Sequence, residues 1–122
     1  MLSADSASPG DALQAQLEWS TPRQLETRYK VSVQLVSSDW RVVAQHDGEP
    51  GGDQKPTTAW QPGQTIADNH ALILPEDLPA GLYSLIIVVY ELNPPYSRLL
   101  VETADTPESR DYLMLAAIRV ED

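Results

Sequence analysis

A chain of 122 residues with eighteen acidic and eight basic side chains carries a formal charge of −10 and has no cysteine. That length is about one domain, able to bury roughly two-thirds of the surface its unfolded form exposes. The missing thiols exclude disulfides, thiolate metal sites and a cysteine nucleophile. The acidic surface repels phosphate backbones and anionic lipid, so neither nucleic acid nor an anionic membrane surface is an expected partner.

Residues 1–11, MLSADSASPGD, have neither the charged nor the apolar region of a signal peptide and read as a flexible linker ahead of a single domain over 12–122. From Leu13 the apolar residues alternate as Leu13, Ala15, Leu17 and Trp19, the period of two of a half-buried strand, which Ser20 to Pro22 end. Tyr29 to Val36 repeats the rhythm, with Tyr29, Val31, Val33 and Leu35 on one face. Ser37, Ser38 and Asp39 are turn formers, and Trp40 to Gln45 is expected to return as the second arm of a hairpin.

Between His46 and Gln64 the composition shifts to Gly, Pro, Asp, Glu, Gln and Thr without periodicity, a long loop of the kind that is functional or mobile. Ile66 to Leu74 alternates again, placing Ile66, Asp68, His70, Leu72 and Leu74 on one face. Leu82 to Tyr90 is apolar on both faces and reads as a strand in the middle of a sheet. This run is also far too short to span a bilayer, which takes ~20 apolar residues. Asn93, Pro94 and Pro95 break it, and Ser97 to Glu102 is expected to form a return strand.

At the C-terminus, Thr106, Pro107 and Glu108 resemble a helix start, yet Tyr112, Met114, Ala116, Ile118 and Val120 alternate, and a strand from Tyr112 to Val120 is the reading adopted. Seven to eight short strands without crossover helices predict an all-β fold, an antiparallel β-sandwich that is immunoglobulin-like or jelly-roll-like.

One series of landmarks runs through the chain in order: Tyr29-Lys30-Val31 with Leu35, Val42 to Asp47, Pro50, Pro56-Thr57, Trp60, Pro62-Gly63, Asp68, Leu74-Pro75, Pro79-x-Gly81-x-Tyr83, Tyr90 and Arg98-Leu99. The series resembles the β-sandwich domain found outside the membrane in multi-span bacterial membrane proteins, many of them similar to membrane glycosyltransferases of the dolichyl-phosphate-mannose mannosyltransferase type. Two positions depart from it, with Trp40 after Asp39 and Val89 before Tyr90 where glycines are expected. The resemblance implies an extracytoplasmic accessory module of a membrane-anchored protein with no catalytic residues, and the expected partner is a glycan or the parent protein itself.

Trp60 lies between Pro56 and Pro62 in an otherwise small and polar run, which leaves two readings. It either stacks on the C–H face of a sugar, with Asp53, Gln61 and Gln64 receiving hydroxyls, or it plugs one end of the core and anchors its loop. Trp40, at a hairpin tip, is a second candidate for an exposed stacking ring. The run HDGEPGGD sets Asp47, Glu49 and Asp53 on a glycine-rich turn, weak metal candidates whose spacing fits no established calcium loop, so no metal or cofactor is expected and Asp47 is read as a turn cap.

Asp68 falls at an inward position and must be hydrogen-bonded there, by backbone N–H groups of the long loop on this reading. His70 shares its face, but no serine elbow accompanies the pair, and His46 reads as a solvated turn residue. With eighteen acids, chance carboxylate pairs carry no sign of glycosidase chemistry. The expectation is a non-catalytic binding module, with a structural spacer or an unrecognised hydrolase as alternatives.

Overall fold

The computed structural model describes residues 5–103 and 110–121, and among these the fold is all-β. Seven strands are formed: β1 (Ser6–Ala7), β2 (Ala12–Trp19), β3 (Tyr29–Val36), β4 (Val42–Gly48), β5 (Ile66–Ile73), β6 (Gly81–Glu91) and β7 (Leu113–Val120). One sheet has the order β1-β7-β6-β3-β4, and β2 pairs with β5 in a second. No helix among the described residues is long and apolar enough to cross a membrane.

The two sheets share one core. Leu13 and Ala15 of β2 and Leu72 of β5 pack with Val33 and Leu35 of β3, Leu85 and Ile87 of β6, and Ile118 and Val120 of β7. At about 1.5–3 kcal/mol for each fully buried aliphatic side chain, this contact is the main force holding the sheets together. The alternation along β5 is complete, with Ile66, Asp68, His70 and Leu72 buried and the residues between them exposed.

β6 lies in the middle of the five-stranded sheet, as its two apolar faces imply. Its inward residues join the main core, while Ile86 and Val88 pack with Val36 on the opposite face beneath Tyr90 and Tyr112.

Four features differ from the sequence reading. Ser6–Ala7, within the stretch read as linker, pairs parallel with Arg119–Val120, so the larger sheet is mixed and not wholly antiparallel. Ser97 to Glu102 is not a strand and makes isolated bridges, Tyr90 with Arg98 and Val101 with Arg110. The reason lies in β6, whose one edge is taken by β3 along its length and whose other edge is taken by β7 as far as Ile87. Only the last residues of β6 remain for the returning chain, where Leu99 N–H reaches the Val89 carbonyl.

A register shift opposite Leu85/Ile86 breaks the alternation of β7, so Met114 is exposed and does not follow Ile118 inward. Finally, β4 runs from Val42 to Gly48 and takes in His46 and Asp47, so the long loop starts at Glu49.

Candidate functional site

Three loops meet at one end of the molecule. Tyr29 at the start of β3 lies opposite Glu91 at the end of β6, and Val31 lies opposite Gly48 at the end of β4. The connections β2–β3, β4–β5 and β6–β7 therefore emerge together. Between them is a cleft of about 280 Å³, walled by Trp19, Tyr29, Trp60 and Leu25 with Pro50 and Leu99, and edged by Ser20, Thr21, Arg23 and Thr57.

The loop from Glu49 to Thr65 is built from its own turns. Asp53 N–H bonds the Glu49 carbonyl, Lys55 N–H bonds the Pro50 carbonyl, and a 3₁₀ turn at Thr57–Ala59 delivers Trp60. Gly51 sits at φ +70°, where a Cβ would come within 2.5 Å of the Lys55 side chain, so glycine is required by both backbone and space. Trp60 is 5% exposed, and its Nε1–H donates to the Lys55 carbonyl at 2.8 Å. Its ring is seated beneath its own loop and presents one wall to the cleft. It is not an open platform. Thr57 Oγ1 ties the loop to the β2–β3 connection by donating to the Thr27 carbonyl and accepting from Tyr29 N–H.

The other sequence candidates are dispersed. Gln61 and Gln64 are exposed in a turn of their own, in which Gln64 Oε1 accepts from Gln61 N–H, and neither lines the cleft. Asp53, at φ +68°, caps Glu49 N–H at 2.8 Å. Glu49 is buried and forms a two-pronged ion pair with Arg28, both contacts 2.7 Å. Asp47 is no turn cap. It stands on the outer sheet face and accepts from Ser32 Oγ, Gln45 Nε2 and Tyr90 OH. No group of three or more His, Asp or Glu side chains fit to hold a metal is found among the described residues, and Asp47, Glu49 and Asp53 bond to separate partners.

Trp40 lies at the opposite end from Trp60. It sits in the β3–β4 turn at φ +62°, roughly 25 Å along the strands from the three-loop cleft, and 56% of it is exposed. The two tryptophans cannot build one site. The Trp40 ring meets Tyr112 edge-on, centroids 5.4 Å apart, and the Arg110 guanidinium lies 5.9 Å from the Tyr112 ring centre. Trp40→Phe is expected to remove the most acrylamide-quenchable tryptophan emission and leave that of the half-buried Trp19 and the buried Trp60. Unchanged quenching in that variant would contradict the exposure described.

On the same outer face the Tyr90 phenol is pushed up to about 12, first by burial and then by its hydrogen bond to, and the negative charge of, Asp47, with Tyr96 adding to it. Because the folded phenol holds its proton more tightly than the unfolded one, its stabilising contribution is present below the ordinary value near 10 and is lost as pH rises through about 12. Asp47→Asn is expected to bring the titration of Tyr90 down toward the ordinary range, as read from phenolate ultraviolet absorbance. A titration that stays in place would remove Asp47 as a cause.

A third assembly is a buried polar line that crosses between the sheets. Asp68 is 1% exposed, and it accepts from Trp19 Nε1–H at 3.0 Å, from Gly51 N–H at 3.1 Å and from His70 Nε2 at 2.9 Å. The bond from Gly51 is the tie between loop and strand expected of an inward carboxylate. Burial pushes the Asp68 carboxyl up, but the hydrogen bonds from His70 and Trp19, the charge that His70 carries when protonated and the Gly51 amide outweigh it and hold the group below its ordinary value. His70, itself 3% exposed, directs its Nδ1 at His46 Nδ1, 2.8 Å away. His46 is solvent-exposed, as the sequence suggests, but it stands in β4 and not in a turn. It lies opposite Val33 in the β3–β4 ladder and so points inward from the edge strand.

Neither the His46–His70 contact nor the Trp19 and Tyr29 walls of the cleft stood out in the sequence. The available signal was positional: Trp19 ends one apolar alternation and Tyr29 opens the next, which puts both at one end of the sheets. Neither a protein-family model nor a curated protein matches this chain.

Proposed function

We propose that this chain is a non-catalytic binding module with an immunoglobulin-like β-sandwich, whose three-loop cleft takes carbohydrate. Its place on this reading is extracytoplasmic, as an accessory domain of a membrane-anchored protein. The strand distribution supports the fold: β2 and β5 stand where strands B and E do, β3, β6 and β7 where C, F and G do, and β1 and β4 extend the second sheet. Tyr83 near the start of β6 adds to this, since its OH bonds back to the Pro79 carbonyl at 2.7 Å, the tyrosine corner of such sandwiches.

The observation that carries the binding reading is the convergence of the β2–β3, β4–β5 and β6–β7 loops on one cleft, at the end where variable immunoglobulin domains place their recognition loops. Its walls are aromatic and aliphatic, matched to the C–H face of a pyranose, and Ser20, Thr21 and Arg23 at its edge can meet hydroxyls. No carboxylate or imidazole lies among its lining residues, which favours holding a sugar over hydrolysing one. The resemblance of the ordered landmarks to the extracytoplasmic domains of membrane glycosyltransferase-like proteins is what suggests the compartment.

Titration of the isolated chain with a panel of soluble hexose oligosaccharides, followed by amide chemical shifts, tests this. Saturable shifts at Arg23, Leu25 and Leu99 that weaken in Arg23→Ala and Leu99→Ala are expected. A panel without saturable shifts would leave the spacer, a reading favoured by the way the long loop satisfies its own hydrogen bonds.

A further inference from the structure

The line that ends at His46 holds more than a core requires. Asp68 already serves as a structural pin through Trp19 and Gly51, and a pin needs no further member. Yet His70 extends the line to the seam between the sheets, and its outer nitrogen meets His46, a side chain that solvent reaches. We propose that His46 Nδ1 and His70 Nδ1 form a binding site for an imidazole-preferring divalent transition ion, Zn²⁺ or Cu²⁺, with water completing its coordination.

Three observations carry this. First, the nitrogens are set for a shared occupant. The Asp68 carboxylate accepts from His70 Nε2, which assigns the ring proton to that nitrogen and leaves a lone pair on Nδ1. That lone pair faces His46 Nδ1 at 2.8 Å, and the rings stand edge-on at 79° with centroids 5.0 Å apart, so the two Nδ1 atoms are turned toward each other and the rings do not stack. Without metal, His46 supplies the single proton between the two nitrogens. With metal, that proton moves to His46 Nε2, and both neutral rings present lone pairs.

Second, the distance is close to what a metal asks. Two imidazole nitrogens, each about 2.0–2.1 Å from a tetrahedral zinc, lie about 3.3 Å apart. The present 2.8 Å has to open by about half an ångström. The edge position of β4, bonded on one side to β3, lets His46 give that much.

Third, the surroundings are those of a metal-binding histidine. The ring nitrogen away from the metal commonly donates to a carboxylate, which fixes the tautomer and raises the basicity of the ligand. Asp68 does this for His70, and it is itself held by Trp19 and Gly51. The net charge of −10 draws cations toward the molecule.

The experiment is calorimetric titration of tag-free chain with ZnCl₂ and CuCl₂ in a weakly coordinating buffer, alongside ¹⁵N spectra of the histidine rings. One equivalent of metal is expected to bind and to shift both Nδ1 resonances, with Cu²⁺ tighter than Zn²⁺. His46→Ala is expected to lower the affinity at least tenfold. Asp68→Asn, which touches no metal, is expected to lower it about ten- to a hundredfold while one-to-one stoichiometry persists. His46 is solvent-exposed, so its alanine variant keeps the fold, and circular dichroism verifies this. Two results overturn the site: no saturable one-to-one binding by either ion, or binding that His46→Ala leaves unchanged, which assigns the metal to surface carboxylates.

Discussion

Asp68→Ala is expected to lower the unfolding free energy by about 3–5 kcal/mol, the cost of breaking a buried, hydrogen-bonded charge network from one side. The carboxylate ends three bonds at once, from Trp19, Gly51 and His70, and among the described residues the fold leaves no buried side-chain nitrogen or oxygen without a partner. Alanine leaves all three donors without their acceptor. Asp68→Asn keeps one acceptor oxygen but turns an amide toward the others, and an intermediate loss is expected. Urea unfolding measures both.

The pH dependence follows with a definite sign. The folded carboxyl is held below its ordinary value, so the unfolded chain takes up the proton first as pH falls. The stabilising contribution of Asp68 is whole above the unfolded value near 3.9 and is lost as pH drops through the lower folded value. The acid limb of the stability curve is therefore expected to flatten in Asp68→Asn. A variant as stable as the parent, with the same acid limb, would show that the line carries no weight in the fold.

The second large effect is at Trp60. Its indole is the main apolar anchor of the loop from Glu49 to Thr65, and Trp60→Ala is expected to cost about 3–5 kcal/mol through lost burial and the cavity left beneath the loop. Trp60→Phe keeps most of the apolar area and loses the bond to the Lys55 carbonyl, at a cost of about 1 kcal/mol. Hydrogen exchange separates loop from domain. The amides of Asp53 and Lys55, whose turns depend on the seated ring, are expected to lose protection in Trp60→Ala, while those in the centre of β6 stay protected. Equal loss in both regions would make the indole a keystone of the whole domain and not an anchor for one loop.

These two residues also mark how far the binding reading reaches. With Trp60 seated and Trp40 at the far end of the sheet, the proposed sugar binding would run through the cleft and its edge at Arg23, Leu25 and Leu99, and not through a pair of exposed indoles. The Trp40, Tyr112 and Arg110 cluster belongs to the outer sheet face and stands as a separate surface.

What the chain determines by itself is the longer strands and, for β2, β3 and β5, their inward faces. The alternations of Leu13 to Trp19, Tyr29 to Val36 and Ile66 to Leu74 match the buried faces of β2, β3 and β5, because the pleat sends successive side chains to opposite sides and only burial of one side rewards the pattern. The central place of β6 was legible for the same reason, as both of its faces meet apolar neighbours.

Only the tertiary structure decided which edges meet. A two-residue strand such as β1 is too short to carry a period, and its parallel pairing with β7 is visible only once the far end of the chain arrives beside it. Ser97 to Glu102 has strand composition but finds the edge of β6 already occupied, since backbone hydrogen bonds along an edge are filled once. The cleft and the contact of His46 with His70 arise in the same way. Each joins residues whose local patterns say which side they face, while the curl of one sheet over the other says what they face there.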